Sequence, residues 1–185
     1  SNSNISNIIF DSNCKINQGH GQSASLVNQI HVDENSIIFI SNILSFATIQ
    51  DTTQAGGLIN QVILDKKSIF KMDNCQFSGS VCIKGKDLLV ASGVIGSFIL
   101  NELSQVFLNE IRNFGMVKIS ISSVGAGETS GISYVQSLSA SSKFMMTNCM
   151  NYGNISCQND LNNCLSNGLI GGEYGASQVI VKNCV

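Results

Sequence analysis

The chain has 185 residues and contains neither proline nor tryptophan. A strand in a stacked parallel sheet uses its backbone N–H in the hydrogen-bond ladder, and proline has none, so proline is excluded from such strand interiors. The absence of proline is therefore what a chain built of stacked strands requires.

Charge is also scarce: Asp, Glu, Lys and Arg make up 12% of the chain, and the formal net charge is −2. Nucleic-acid binding needs clustered Lys and Arg, so we expect no nucleic-acid partner. The longest apolar run, Leu88–Leu100, is interrupted by glycine and serine. It is shorter than the roughly 20 residues that cross a bilayer, and we expect no membrane span in this segment.

What the chain does contain is an octet of alternating polarity that occurs six times. The third and fifth residues are apolar in nearly every copy, which is a strand pattern rather than a helix pattern. The octets begin at Asn7, Ser36, Ser68, Ser104, Ser142 and Ser177, so successive starts are 29, 32, 36, 38 and 35 residues apart.

Two other blocks keep step with the octet. A small residue followed two positions later by a β-branched one lies downstream, as in Gly79 and Val81, and a small residue with an apolar pair lies upstream, as in Gly57–Ile59. Three short strands per repeat of 29–38 residues predict a solenoid. Equivalent strands of successive coils must be parallel, and parallel crossovers are right-handed. We therefore expect an all-β, right-handed, single-stranded parallel β-helix of about five to six coils, as one domain over residues 1–185.

Nearly the whole chain resembles a known repeat, and the match is best in about the last 60 residues. Gly168–Gly172 (GLIGG), the spacing of Val179–Cys184, and Asn148–Ile155 (NCMNYGNI) resemble the GLUG-type repeat of bacterial and protist surface proteins. The resemblance implies a secreted or cell-surface β-solenoid with pectin-lyase-like architecture and carries over no catalytic residue. The first two coils depart from it, since Ser25 and Ala47 replace glycines.

The seventh octet residue predicts a ladder of stacked asparagine amides at a corner of the helix. Glu110 interrupts this ladder, either facing water or bonding a neighbouring amide. The predicted members are Asn13, Asn42, Asn74, Asn148 and Asn183.

The eighth octet residue is cysteine at Cys14, Cys75, Cys149 and Cys184. We expect inward-facing, unpaired thiols there, because stacked Cβ atoms about 4.8 Å apart lie beyond bridging distance. Cys157 and Cys164 flank a connection and are a candidate disulfide in a secreted protein; alternatively, Cys157 faces the core. No zinc site is expected, since no CxxC occurs and His20 and His31 lie far from Cys157 and Cys164 in sequence.

Two sequons, at Asn4 and Asn154, are candidate N-glycosylation sites. The aspartates are scattered in sequence and form no acid pair of the kind that glycoside hydrolysis needs. We therefore expect no enzyme activity, no cofactor and no metal.

The function expected from the sequence is a non-catalytic, extracellular or cell-surface structural or adhesive β-solenoid, part of a surface protein or filament. The alternative is a carbohydrate-binding or polysaccharide-cleaving β-helix. The last octet stays apolar up to Cys184, which predicts a longer solenoid or end-to-end self-association. Surface glycans or host or cell-surface proteins are the other expected partners. One corner varies in length (residues 50–56, 84–92, 120–130 and 156–167), and in repeat proteins such an edge often binds.

Overall fold

The computed structural model describes residues 2–17, 21–86, 88–121, 125–158, 164–172 and 178–185. Within these ranges the chain forms strands and no helix. The first two coils contain β1 (Asn2–Phe10), β2 (Lys15–Asn17), β3 (Gln22–Ser23) and β4 (Val27–Val32), then β5 (Ile37–Ser45), β6 (Thr48–Asp51), β7 (Gln54–Gly56) and β8 (Ile59–Leu64).

In the next two coils the long octet strand is divided in two. The third coil comprises β9 (Ile69–Asp73), β10 (Gln76–Phe77), β11 (Ser80–Gly85), β12 (Leu89–Ser92) and β13 (Ile95–Leu100). The fourth comprises β14 (Gln105–Asn109), β15 (Arg112–Asn113), β16 (Met116–Ile121), β17 (Gly127–Ser130) and β18 (Ser133–Leu138).

The fifth coil follows the same plan, and one strand of a further coil closes the described chain. These are β19 (Lys143–Thr147), β20 (Met150–Asn151), β21 (Ile155–Gln158), β22 (Cys164–Asn167), β23 (Ile170–Gly172) and β24 (Gln178–Lys182). All described strand pairs are parallel and join equivalent strands of neighbouring coils, so the predicted parallel β-solenoid is confirmed.

The strands stack into four sheets. The first sheet contains β1, β5, β9, β14, β19 and β24, with β10, β15 and β20 continuing its side; the second contains β2, β6, β11, β16 and β21. The third contains β3, β7, β12, β17 and β22, and the fourth contains β4, β8, β13, β18 and β23. The third sheet lies in the corner of variable length, so each coil has one strand more than the three predicted blocks.

Octet pairing is in register from Ser36 onward: Ile38 faces Phe70, and Val106 faces Phe144. The third and fifth residues are buried in the interior coils, as the alternation predicts. Ser177, the start of the last octet, lies outside the described residues. The core between the sheets contains a cross-coil aromatic stack, in which the Phe98 ring lies edge-on to Phe70 at 5.6 Å and to Phe144 at 5.3 Å.

The first octet, predicted at residues 7–14, is wrong by six residues. β1 pairs with β5 so that Ile5 faces Ile40 and Ile8 faces Ile43, and the equivalent octet therefore begins at residue 1. Ile9, expected inside, is 71% exposed. The physical reason is that β1 and β5 pair over the whole nine-residue length of β1, an arrangement that the octet at residue 7 would lose.

Glycines allow the coils to approach each other where the third sheet turns into the fourth. A Cβ on Gly57 would lie 1.9 Å from the carbonyl oxygen of Gly93 and 2.5 Å from the Phe77 ring. In the first coil Ser25 occupies this column, and its hydroxyl donates to the Gly57 carbonyl oxygen at 2.6 Å. The terminal coil thus tolerates a side chain that the interior coils exclude.

Candidate functional site

The asparagine ladder runs along one corner of the coil stack. Asn42 Nδ2 donates to Asn7 Oδ1 at 3.2 Å, and Asn74 Nδ2 donates to Asn42 Oδ1 at 2.9 Å. Farther along, Asn183 Nδ2 donates to Asn148 Oδ1 at 3.4 Å. Each of these residues has φ between 47° and 60°. Asparagine tolerates this left-handed region better than most residues do, so backbone conformation as well as amide stacking selects it.

Asn13, predicted in the ladder, does not belong to it. Asn7 takes its place because β1 pairs with β5 six residues earlier than the octet pattern suggests. The backbone N–H of Asn13 donates instead to Asp11 Oδ1 at 2.7 Å in an exposed turn. Asp11 is exposed as well.

Glu110 is the one ladder position among the described coils that is not asparagine, and the hydrogen bonds go around it. The Arg112 guanidinium donates to Glu110 Oε2 and to Asn74 Oδ1, with a distance of 3.3 Å in each bond. On the other side, Asn148 Nδ2 donates to Asn109 Oδ1 at 3.2 Å, bypassing Glu110. Residues next to position 110 thus make the cross-coil side-chain bonds to Asn74 and from Asn148 that an asparagine there would have made.

A second, interior amide ladder was missed by the sequence reasoning. Asn113 is fully buried, and its Nδ2 donates to Asn151 Oδ1 at 2.8 Å. Its Oδ1 accepts from the Gly115 N–H at 3.0 Å, which satisfies a buried turn. The repeated triplets Asn113–Gly115 and Asn151–Gly153 were the signal available in the sequence.

The predicted stack of cysteines at the eighth octet position is confirmed for Cys75, Cys149 and Cys184 but not for Cys14. Cys75 and Cys149 are buried, and the Cys149 N–H lies 3.3 Å from Cys184 Sγ. Cys14 is not in this column: Ile8 holds the equivalent place, because the first octet is displaced. Burial raises the pKa of Cys75 to about 11 and that of Cys149 to about 12. These thiols are protonated at neutral pH and are poor nucleophiles and metal ligands.

Cys157 and Cys164 are joined in a disulfide, with their Cα atoms 5.5 Å apart. Both side chains also pack, partly buried, against the core. Cys157 therefore forms the predicted disulfide and also contacts the core, so the two alternatives are compatible. Asn4 and Asn154, the two sequon asparagines, are both exposed, as a glycan acceptor requires.

Two of the aspartates that are apart in sequence lie close together in the structure, in a cluster of potential metal ligands. The ligand atoms of His31, Asp33 and Asp65 lie within 4.8 Å of one another, and His31 Nε2 is 3.0 Å from Asp65 Oδ2. One imidazole and two carboxylates suit a divalent transition-metal ion. The side chains are exposed at a corner, and the His31–Asp65 pair already engages two of the three donors. His20 lies outside the described residues.

A polar groove lies where the outer faces of the third and fourth sheets meet. We call it the Gln54–Tyr134 groove; its volume is about 240 Å³. Side chains cross between the two sheets, since Gln54 Nε2 donates to Ser97 Oγ at 2.6 Å and Asn60 Nδ2 donates to Gln22 Oε1 at 3.1 Å. The lining consists of Gln22, Thr53, Gln54, Leu88, Val90, Ser97, Tyr134 and Gln136.

Part of this lining comes from the corner of variable length. Thr53 and Gln54 belong to residues 50–56, and Leu88 and Val90 belong to residues 84–92. Residues 87, 122–124 and 159–163 of the same corner lie outside the described chain. The edge that varies from coil to coil therefore contributes one wall of the groove.

Apolar side chains form two other outward surfaces. Phe114 and Tyr152 stack at 5.6 Å and are 46% and 61% exposed. On the outer face of the first sheet, the ammonium groups of Lys71 and Lys143 lie over the Phe107 ring. Their nitrogens are 5.8 and 5.9 Å from the ring centroid. The first surface spans two neighbouring coils, and the second spans three.

Comparison with known proteins identified no matching family model, no similar curated protein and no similar solved structure. In the part of the chain that the structure describes, no helix is long and apolar enough to cross a membrane.

Proposed function

We propose that this chain is a non-catalytic structural or adhesive β-solenoid of the cell surface or extracellular space, part of a surface protein or filament. The observation that carries the proposal is the stacking of six equivalent parallel strands in the first sheet, an arrangement that further coils or a second copy can extend. In the described sheet order, β1 and β24 each have a neighbour on one side. An open strand edge is a template for another strand, supplied by further coils or by a second copy.

The geometry of β24 supports such a contact. The Gln178 N–H bonds to the Ser142 carbonyl oxygen, and the Lys182 carbonyl oxygen accepts from Asn148. Alternate residues of a parallel strand bond to opposite neighbours, so the N–H groups of Val179 and Val181 point away from β19. A head-to-tail contact on this edge is heterologous and propagates into an open filament.

Other features agree with an extracellular role. The Cys157–Cys164 disulfide fits an oxidising compartment, and the sequons at Asn4 and Asn154 are exposed. The GLUG-type resemblance of residues 148–155 and 168–184 points to surface proteins. Apolar columns such as Phe114 and Tyr152 are the kind of exposed surface that contacts other proteins.

The test compares the 185-residue chain with Val181→Pro and Val181→Thr. Proline removes the outward N–H of β24 without breaking a bond to β19, whereas threonine keeps the N–H and the β-branched shape. Light scattering over a concentration series and negative-stain microscopy should show growing rods for the wild type and Val181→Thr, and particles of one size for Val181→Pro. A wild type that stays monomeric at every concentration, or Val181→Pro rods as long as those of the wild type, contradicts end-to-end assembly.

Carbohydrate binding is the second candidate, and the Gln54–Tyr134 groove is the observation that favours it. Its lining offers amides, hydroxyls and an aromatic ring, the groups that recognise polyols. Cleavage has less support, because the close carboxylates Asp33 and Asp65 lie at a corner outside the groove, Asp33 exposed and Asp65 half-buried. We expect no product release from plant, bacterial or host polysaccharides; release that disappears in Asp65→Asn would assign catalysis to this pair.

A further inference from the structure

The Gln54–Tyr134 groove is hollow because the third coil carries small residues where its neighbours carry large ones. Ser97 pairs with Gln61 of the second coil, and Gly96 lies between Asn60 and the strand that carries Tyr134. A Cβ at Gly96 would lie 2.3 Å from the Asn60 carbonyl oxygen. The space at Gly96 is thus filled by the Asn60 backbone, and the groove lies where the small Ser97 stands between Gln61 of the second coil and Tyr134 of the fourth.

Two irregularities in strand pairing flank this hollow. Along β13 and β18, the register shifts between Ile95 and Phe98 and again between Phe98 and Ile99. The first shift places Gly96 and Ser97 opposite Tyr134, and the second leaves Gln136 as an extra residue. Bulges of this kind re-aim side chains and occur next to binding sites. Here they present Ser97, Tyr134 and Gln136 to the groove.

Buried polar groups lie in and beneath the lining of the groove. Ser97 is 1% exposed, and Asn60 is fully buried. Asn60 donates to Gln22 and accepts from Gln54 Nε2 at 3.3 Å through its carbonyl oxygen, yet its Oδ1 has no hydrogen-bond partner among the described residues. These bonds hold the Gln22 and Gln54 side chains that line the groove, whereas Asn60 Oδ1 lies against Gly96 and is not part of the lining.

We propose that this groove binds one uncharged sugar residue. The inference rests on the carbohydrate-binding candidate and assigns it a site. The described lining residues contribute amides from three glutamines, hydroxyls from Thr53 and Ser97 and the ring of Tyr134, and none of them carries a carboxylate or an ammonium group. Neutral donors and acceptors match a neutral polyol, and an aromatic ring packs against the C–H face of a sugar. The volume of about 240 Å³ lies just below the roughly 300–1,000 Å³ of drug-sized ligand sites, which suits a single ring.

The experiment is an NMR titration of the folded chain with the methyl glycosides of glucose, galactose, mannose and N-acetylglucosamine. Binding is followed through the side-chain amide signals of the glutamines and by saturation transfer to the sugar. Tyr134→Ala removes the ring from the groove, and Ser97→Gln fills the hollow with the residue that the second coil carries at the paired position. Tyr152→Ala, at an exposed tyrosine on another corner, is the matched control.

We expect at least one of the four sugars to bind, with an affinity lowered about tenfold or more in Tyr134→Ala and Ser97→Gln and unchanged in Tyr152→Ala. Circular dichroism establishes that each variant is folded, and Ser97→Gln tests the site independently if Tyr134→Ala loses its fold. Binding that survives both groove variants overturns the assigned site while leaving carbohydrate binding in place. No binding of any of the four sugars overturns both.

Discussion

Asn74 lies directly over Asn42 in the next coil: its Nδ2 donates to Asn42 Oδ1 at 2.9 Å, and both residues hold positive φ, at 47° and 55°. One short amide side chain thus serves two purposes. It accepts the left-handed turn that each corner needs, and it ties neighbouring coils together. Substitutions of Asn74 can separate the contribution of the left-handed backbone conformation from that of the amide hydrogen bond.

Asn74→Ala is expected to lower the free energy of unfolding by about 1–2 kcal/mol, because alanine is strained in the left-handed region and makes no amide bond. Asn74→Gly should cost less, since glycine adopts positive φ freely. Chemical denaturation followed by circular dichroism measures both. Equal losses in the two variants would mean that φ does not select asparagine at this corner.

The register of the first coil predicts opposite outcomes for two asparagines. Asn7→Ala removes the acceptor of Asn42 Nδ2 and should reduce hydrogen-exchange protection along β1. Asn13→Ala leaves that ladder intact, and the bond from the Asn13 backbone N–H to Asp11 remains, so protection of β1 should not change. Loss of protection in Asn13→Ala but not in Asn7→Ala would contradict this register and support the one predicted from the octet at residues 7–14.

Phe98 lies between Phe70 and Phe144 in the core. Phe98→Ala should cost about 3–5 kcal/mol of stability, as for other buried aromatic truncations. Phe114→Ala is the matched control, because its ring is 46% exposed and its loss should cost less than about 1 kcal/mol. Denaturant midpoints of the two variants give the comparison, and similar losses would contradict the assigned core.

The buried thiols predict a loss of stability at alkaline pH. Burial raises the pKa of Cys75 from 9.0 to about 11 and that of Cys149 to about 12. Because the folded-state pKa lies above the unfolded one, the folded protein holds these protons longer. Their contribution is complete below pH 9 and decreases as the pH rises through the folded-state pKa. The free energy of unfolding, measured between pH 8 and 11, should fall less steeply in Cys149→Ala; parallel curves would show that the thiol does not contribute.

The Cys157–Cys164 disulfide predicts a distinct redox pattern. Peptide mapping without reductant should recover these two cysteines as one cross-linked species. Cys75 and Cys149 should be alkylated only after unfolding. The double variant Cys157→Ser/Cys164→Ser should lose about 2–3 kcal/mol by loop-closure entropy. Free alkylation of Cys157 and Cys164 in the native chain would contradict the bridge.

Much of the fold could be predicted because the signal is local. Alternation in octets such as Ser68–Cys75 sets which side chains face inward, and its recurrence identifies stacked coils without any knowledge of distant contacts. The ladder positions Asn42, Asn74, Asn148 and Asn183 follow from the same periodicity. The third sheet escaped prediction because strands such as Gln54–Gly56 are too short to show a period.

The sequence by itself determined the parallel β-solenoid and, from the second coil onward, the column that each repeated octet residue occupies, because strand parity is a property of neighbouring residues. Only the tertiary structure decided the register of the first coil, since Asn7 and Asn13 both fit the local pattern and pairing with β5 selects Asn7. The same holds for the proximity of His31 and Asp65. The Gln54–Tyr134 groove also needed the structure, because it depends on how two bulged strands of different coils align.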